Sequence, residues 1–79
     1  MILKAITDKD LIVYLTAKGL EIKGIEREGG RNRSIVYFED SNELRSSLIN
    51  YVNKTDKVNI AEFISAERRI KTLLCMQKN

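Results

Sequence analysis

Side chains able to do catalytic chemistry are few in this sequence of 79 residues, and histidine is absent altogether. The commonest general base, the commonest metal ligand and the serine–histidine nucleophile pair are therefore all missing. Cys75 is the sole cysteine, and with no histidine to activate its thiol we expect it to pack or to lie at the surface. We expect no enzymatic activity and no cofactor.

Carboxylates cluster twice, at Asp8 and Asp10 and again at Glu39, Asp40 and Glu43. Either cluster offers oxygen ligands to a hard cation. Both, however, coincide with predicted helix starts, where the positive end of the helix dipole favours acidic side chains without a metal. We therefore expect no metal site.

A glycine pair lies among charged residues in the segment EREGGRNRS, residues 26–34. Glycine-rich turns cradle phosphate when they run directly into a helix, but this turn runs into a strand pattern. A solvated hairpin turn is the favoured interpretation. The alternative is contact of Arg27, Arg31 and Arg33 with a nucleic-acid backbone or an acidic partner.

The densest basic surface is predicted on the last helix, at Arg68, Arg69 and Lys71. A water-exposed helix face is the default interpretation, and contact with phosphate or with an acidic protein is the alternative. With 14 lysines and arginines against 11 carboxylates, the net charge of +3 permits weak attraction to nucleic acid without requiring it.

Composition indicates one globular domain, with 43% hydrophobic and 32% charged residues. A single cysteine cannot form an intramolecular disulfide, which favours a reducing cytoplasm. The start MILKAITDKD has no basic leader, and the apolar run from Leu11 to Leu15 is far too short to span a bilayer. We expect a cytoplasmic protein without membrane association.

The first third of the chain predicts an extended segment followed by a helix. Residues 1–6 suit a short strand or an N-terminal arm. Thr7 with Asp10 three places later is typical of a helix cap, which predicts a helix over about residues 8–18. Lys18 and Gly19 end that helix, because glycine adopts a left-handed backbone at low cost.

Residues 20–39 predict a β-hairpin that turns at the glycine pair. Gly24 interrupts the first strand, and Ile22 and Ile25 have opposite parity. A bulge near Gly24 would let both isoleucines face the core, alongside Ile35 and Tyr37. An exposed hairpin edge is prone to pair with another strand, so a symmetric homodimer is an open alternative to a monomer.

Two amphipathic helices complete the chain. Asp40 with Glu43 predicts a capped helix over about residues 41–53, and Asn59 predicts the cap of a helix over about residues 60–76. A short connection favours antiparallel packing of these two helices across the hairpin. The predicted fold is a small α+β domain of order (β)-α-β-β-α-α.

Three runs carry a family resemblance: LIVYLTAKGLEIKGIEREG, SIVYFEDSNELRSSLINYVN and FISAERRIKTLL. Over about residues 7–74 the chain resembles a family of short uncharacterised proteins of phages, prophages and bacteria, chiefly Firmicutes, known as a domain of unknown function. The connection KTDKVNI departs from the family, which more often has an acidic residue and a proline there. The resemblance implies a mobile-element origin, and hence the cytoplasm of a host cell, but no activity and no ligand.

Two functions are open at this level. The first is a non-enzymatic protein-binding module of a phage or mobile element, whose partner is unknown and which acts through a helix face or a sheet edge. The second is a small nucleic-acid-binding accessory that contacts phosphates without reading sequence.

Overall fold

Six elements follow the predicted order. The computed structural model describes residues 2–27, 34–54 and 57–76. The elements are β1 (Leu3–Ile6), α1 (Lys9–Ala17), β2 (Ile22–Arg27), β3 (Ser34–Glu39), α2 (Asn42–Asn53) and α3 (Ile60–Met76). The α+β class and the order β-α-β-β-α-α are confirmed, and the elements form a single small domain.

The three strands form one antiparallel sheet in the order β1-β3-β2, so β3 is the central strand. The N-terminal segment is thus a strand, which pairs with β3 from Leu3 opposite Glu39 to Ile6 opposite Val36. The bulge at Gly24 is also confirmed, because Ile22 lies opposite Phe38 while Gly24 lies opposite its neighbour Tyr37. One extra residue therefore separates the two pairs.

The predicted inward face of β3 is wrong by one residue. Val36 and Phe38 are fully buried, whereas Ile35 and Tyr37 are half-buried and lie on the opposite face of the strand. Four consecutive apolar or aromatic residues satisfy either choice, because side chains alternate between the two faces of a strand. Packing of the helices against one face decides which pair is inside.

Two of the three predicted helix caps are displaced by one residue. Asp8, not Thr7, caps α1, and its carboxylate accepts hydrogen bonds from the backbone N–H of Asp10 and Leu11. Ser41, not Asp40, caps α2. In both cases the residue with a short oxygen-bearing side chain and an extended backbone sits directly before the first turn.

Other helix termini agree with the prediction. The side chain of Asn59 accepts hydrogen bonds from the backbone N–H of Ala61 and Glu62 and so caps α3. Gly19 follows α1 with a φ of 95°, the left-handed geometry that ends the helix there.

All three helices contribute residues to one core, and α1 is the main helical neighbour of both α2 and α3. The middle of α1 is buried nearly all round, from Ile12 to Leu15. Its fully buried core partners are Ile6, Val36, Phe38, Leu44, Ala66 and Ile70. Ile22 and Ile25 of β2 are half-buried and pack against the same core, as expected from the bulge. Within the three described ranges no helix is long and apolar enough to cross a bilayer.

Candidate functional site

Within residues 2–27, 34–54 and 57–76, one face of the sheet carries no covering layer, and we call it the outer face. Its apolar side chains are Leu3 and Ala5 on β1 and Ile35 and Tyr37 on β3, because Ala5 lies opposite Tyr37 and both alternate with buried residues. None of the four packs against the buried core cluster. Leu3 and Ala5 are exposed, while Ile35 and Tyr37 are half-buried.

Tyr37 lies at the middle of the outer face. Its ring lies over Gly24 of the neighbouring strand, where an added Cβ would lie 3.8 Å from Cδ2 of the ring. Loss of solvent around the phenol raises the pKa of Tyr37 above its ordinary value, and a hydrogen bond to the carboxylate of Glu26 raises it further. The ring is therefore held in place from two sides, which lowers the entropy lost when a partner packs on it.

The rim of the outer face is acidic. Glu26 lies opposite Ile35 and Glu39 lies opposite Leu3, so both carboxylates share the face with Tyr37. Lys23, within the bulge, forms an exposed ion pair of 2.8 Å with Glu21, and this pair raises the pKa of Lys23 and lowers that of Glu21. The rim thus repels phosphate and suits a partner that brings lysine or arginine.

The predicted basic residues of the last helix are all exposed on α3. Arg68 and Lys71 are separated by about 60° around the helix axis, since successive residues are about 100° apart, and they share a face with Ile64. Arg69 lies about 100° from Arg68, on a different flank. The structure therefore brings together two of these three cations.

Of the three hairpin arginines, the structure describes Arg27, which does not belong to the outer face. Arg27 lies opposite Ser34 at the end of β2, on the same side of the sheet as the buried Val36, and it is exposed. Arg31 and Arg33 lie outside the described residues. Any anion contact by Arg27 is therefore on the opposite side of the sheet from Tyr37.

A shallow cleft of about 450 Å³ opens beside the C-terminal end of α2. It is lined by Tyr14, Asn50, Tyr51, Val52, Lys54 and Val58. The rings of Tyr14 and Tyr51 meet with centroids 5.1 Å apart and planes tilted by 48°, a favourable aromatic arrangement. Burial raises the pKa of Tyr51, and the negative charges of Asp8 and Asp10 raise it further. The contact between the two tyrosine rings therefore stabilises the packing of α1 against α2.

Candidate catalytic groups are dispersed in the part of the chain that the structure describes. No group of three or more cysteine, aspartate or glutamate residues there is arranged to hold a metal ion. Asp8 is engaged as a helix cap, and Asp40 forms an exposed ion pair of 3.2 Å with Arg45. Cys75 is exposed on the last turn of α3, one of the two places expected for it.

Comparison with known protein families gives a match over nearly the whole chain. A family model described as a domain of unknown function (DUF5659) matches residues 3–76. The chain belongs to this family. The DUF5659 match begins at the first residue of β1 and ends at the last residue of α3, so the family unit includes the N-terminal strand as well as the hairpin and helices. Neither the curated proteins nor the solved structures include a match to the chain.

The outer face is the feature that the sequence did not reveal. Tyr37 and Ile35 were expected in the core, and the segment 1–6 was expected as a strand or an arm with no assigned neighbour. The available signal was the unbroken apolar run of β3, since a central strand with apolar residues on both faces needs two coverings. In this domain the helices supply only one.

Proposed function

We propose that this DUF5659 chain is a non-enzymatic interaction module that binds another protein through the outer face of its sheet. The observation that carries the proposal is the open apolar surface formed by Leu3, Ala5, Ile35 and Tyr37. Tyrosine is enriched among the residues that dominate binding energy, because it combines a large apolar area with few rotatable bonds.

The charge around this surface defines the partner's chemistry. Glu26 and Glu39 flank the apolar residues, so a complementary protein surface presents an apolar patch bordered by lysine or arginine. Nucleic acid fits this face poorly, because phosphates would meet both carboxylates. A protein partner therefore accounts for both the apolar centre and the acidic rim.

The biological setting is part of the same proposal. The resemblance to short phage, prophage and Firmicutes proteins supports a mobile-element origin, with the cytoplasm of a bacterial host as the proposed setting. A partner there is a protein of the host or of the mobile element itself.

The test compares the wild type with Tyr37→Ala as affinity baits in host lysate. Arg68→Ala/Lys71→Ala serves as a matched control, because it alters exposed residues on α3 and leaves the sheet untouched. A true partner is captured by the wild type and the control and is lost with Tyr37→Ala. Purified, it should bind the variant about 30-fold more weakly, the effect of a typical hot-spot residue. Capture profiles that do not differ between the wild type and Tyr37→Ala would refute the proposal.

A second candidate function, nucleic-acid binding without sequence specificity, is supported by the shared exposed face of Arg68 and Lys71. Titration with DNA and RNA at two salt concentrations tests it, because phosphate contacts release counterions and weaken steeply with salt. Binding that disappears in Arg68→Ala/Lys71→Ala and persists in Tyr37→Ala would favour this candidate. Absence of binding at about 50 mM salt would exclude nucleic-acid binding as the function.

A further inference from the structure

We propose that the free edge of β1 pairs with β1 of a second copy, giving a symmetric dimer with one continuous six-stranded antiparallel sheet. This inference goes beyond the proposed function and does not depend on it. It follows from the strand order, in which β1 and β2 are both edge strands of the described sheet. The two edges differ in how well they are protected against pairing.

The edge of β2 carries the features that block strand addition. It has a bulge next to Gly24, and charged side chains at Lys23, Glu26 and Arg27. A symmetric register centred on Ile25 would set Lys23 opposite Arg27 of the other copy, and one centred on Glu26 would set two glutamates opposite each other. Like charges directly opposite destabilise a strand pair.

The edge of β1 is less protected, with Lys4 as the one charged residue of the strand. Its register with β3 is regular, without a bulge, and Leu3, Lys4 and Ala5 are all exposed. Ile2, directly before the strand, is 73% exposed and Leu3 is 46% exposed. An exposed, regular and largely apolar edge strand is a template for pairing with another chain.

Backbone geometry identifies which groups of β1 are available. The N–H of Asp40 donates a 2.8 Å hydrogen bond to the carbonyl of Ile2. In an antiparallel ladder the hydrogen-bonded pairs alternate, so Ile2, Lys4 and Ile6 bond to β3. The N–H and C=O groups of Leu3 and Ala5 therefore point towards the open edge.

Symmetry restricts how two such edges meet. In an antiparallel pair related by a two-fold axis, one residue lies opposite its own copy. A register centred on Lys4 sets two lysines opposite each other, and one centred on Leu3 sets them on a diagonal, where they still repel. A register centred on Ile6 sets Leu3 against Lys9, which already belongs to the helix α1 of the other copy.

A register centred on Ala5 also sets the two lysines on a diagonal, but it adds a compensating charge. The outward backbone groups of Ala5 bond to those of Ala5 in the second copy, and Leu3 lies opposite Thr7. Lys4 then lies diagonally across from both Lys4 and Asp8 of the second copy. The backbone of Asp8 is still extended, and the attraction of each Lys4 to an Asp8 offsets the repulsion between the two lysines. This complementarity argues for a second copy as the occupant of the edge, because the chain supplies both charges itself.

The dimer changes the outer face in a specific way. A two-fold axis perpendicular to the sheet keeps both helical layers on one side, and it joins the two outer faces on the other. Ala5 lies at the axis, and the two Tyr37 side chains lie on either side of it. The assembly therefore presents a doubled apolar surface.

Sedimentation equilibrium over a range of concentrations measures the association. We expect a mass that rises towards twice that of the chain, and a chain that stays monomeric up to about 1 mM overturns the proposal. Ala5→Pro should abolish dimerisation and preserve the circular dichroism spectrum, because the N–H that proline lacks points away from β3. Association of Ala5→Pro equal to that of the wild type also overturns it.

A charge variant covers the case in which Ala5→Pro fails to fold. Lys4→Glu places a carboxylate beside Asp8 of the second copy and should weaken dimerisation, whereas Lys71→Glu on α3, its matched control, should not. Equal association of both variants contradicts the proposed register.

Cross-linking determines the register directly, in a Cys75→Ser background. Ala5→Cys places two thiols on directly opposite residues, with Cα atoms about 5.5 Å apart, within reach of a disulfide or a short bismaleimide. Leu3→Cys is the matched control, since its copies lie four residues apart along the strands, roughly 13 Å. Rapid dimer trapping by Ala5→Cys alone is expected. Equal trapping by both, or by Leu3→Cys alone, overturns the register.

Discussion

Two adjacent aromatic residues of β3 should differ sharply in their contribution to stability. Phe38 is fully buried in the core, and Tyr37 lies on the outer face. Phe38→Ala should lower the free energy of unfolding by about 3–5 kcal/mol, through lost burial and the cavity that remains. Tyr37→Ala should lower it by about 1 kcal/mol, because its ring is partly exposed and does not pack against the described core.

The size of the domain makes this difference decisive. At about 0.05–0.15 kcal/mol per residue, a chain of 79 residues has a total stability of about 4–12 kcal/mol. Phe38→Ala therefore removes between about a quarter and all of the total stability. Near the lower limit of stability the variant should be partly or wholly unfolded. Tyr37→Ala should stay folded, which is what allows its use in the binding test.

Urea unfolding followed by circular dichroism measures both effects. With a slope of about 1 kcal/mol per molar, typical of a small domain, the midpoint should fall by about 3 M or more for Phe38→Ala and by about 1 M for Tyr37→Ala. Phe38→Leu is the control for cavity size and should lie between them. Equal destabilisation by the two alanine variants would mean that the face carrying Tyr37 is covered, and the proposed binding surface would be wrong.

Three further predictions concern local features. Gly19→Ala should destabilise by about 1–2 kcal/mol in urea unfolding, solely through its positive φ, since an added Cβ meets nothing within 4 Å. A loss below about 0.3 kcal/mol would contradict this. Ser41→Ala should lower the free energy of unfolding by about 1 kcal/mol, because α2 loses its cap. Asp40→Ala breaks an exposed ion pair and should change this free energy by no more than about 0.5 kcal/mol. A larger loss for Asp40→Ala than for Ser41→Ala would mean that Asp40 is the cap. Because the pKa of Tyr51 is raised, the folded state favours the neutral phenol. The stability that Tyr51 contributes is therefore complete below about pH 10 and is lost as the pH rises through the raised pKa. Tyr51→Phe should therefore flatten the alkaline decline in unfolding free energy, and an unchanged slope would argue against burial of this phenol.

Local signals accounted for the elements and most of their ends. Gly19 marks a helix terminus because few other residues adopt its backbone angle, and Asn59 marks a helix start because its side chain reaches free N–H groups. The bulge at Gly24 followed from the parity of the two flanking isoleucines. The caps at Asp8 and Ser41 were missed by one residue, since several neighbouring side chains offer a suitable oxygen.

The candidate sites differ in how well the sequence predicts them. The basic residues of α3 were correctly expected at the surface, because helical periodicity separates an apolar stripe from a charged one. Their division into one pair and one separate cation also follows from helix geometry. The outer face did not follow, because it depends on which strands are neighbours and on where the helices pack.

The amino-acid sequence by itself determined the class, the order of the six elements and the absence of imidazole chemistry, because these depend on composition and on short-range periodicity. Tertiary structure alone decided that β1 pairs with β3, that Phe38 rather than Tyr37 faces the helices, and that one face of the sheet is left uncovered by the described residues. The physical reason is that strand pairing and layer packing join residues far apart along the chain. An apolar run such as that of β3 is compatible with either face until the helices cover one of them.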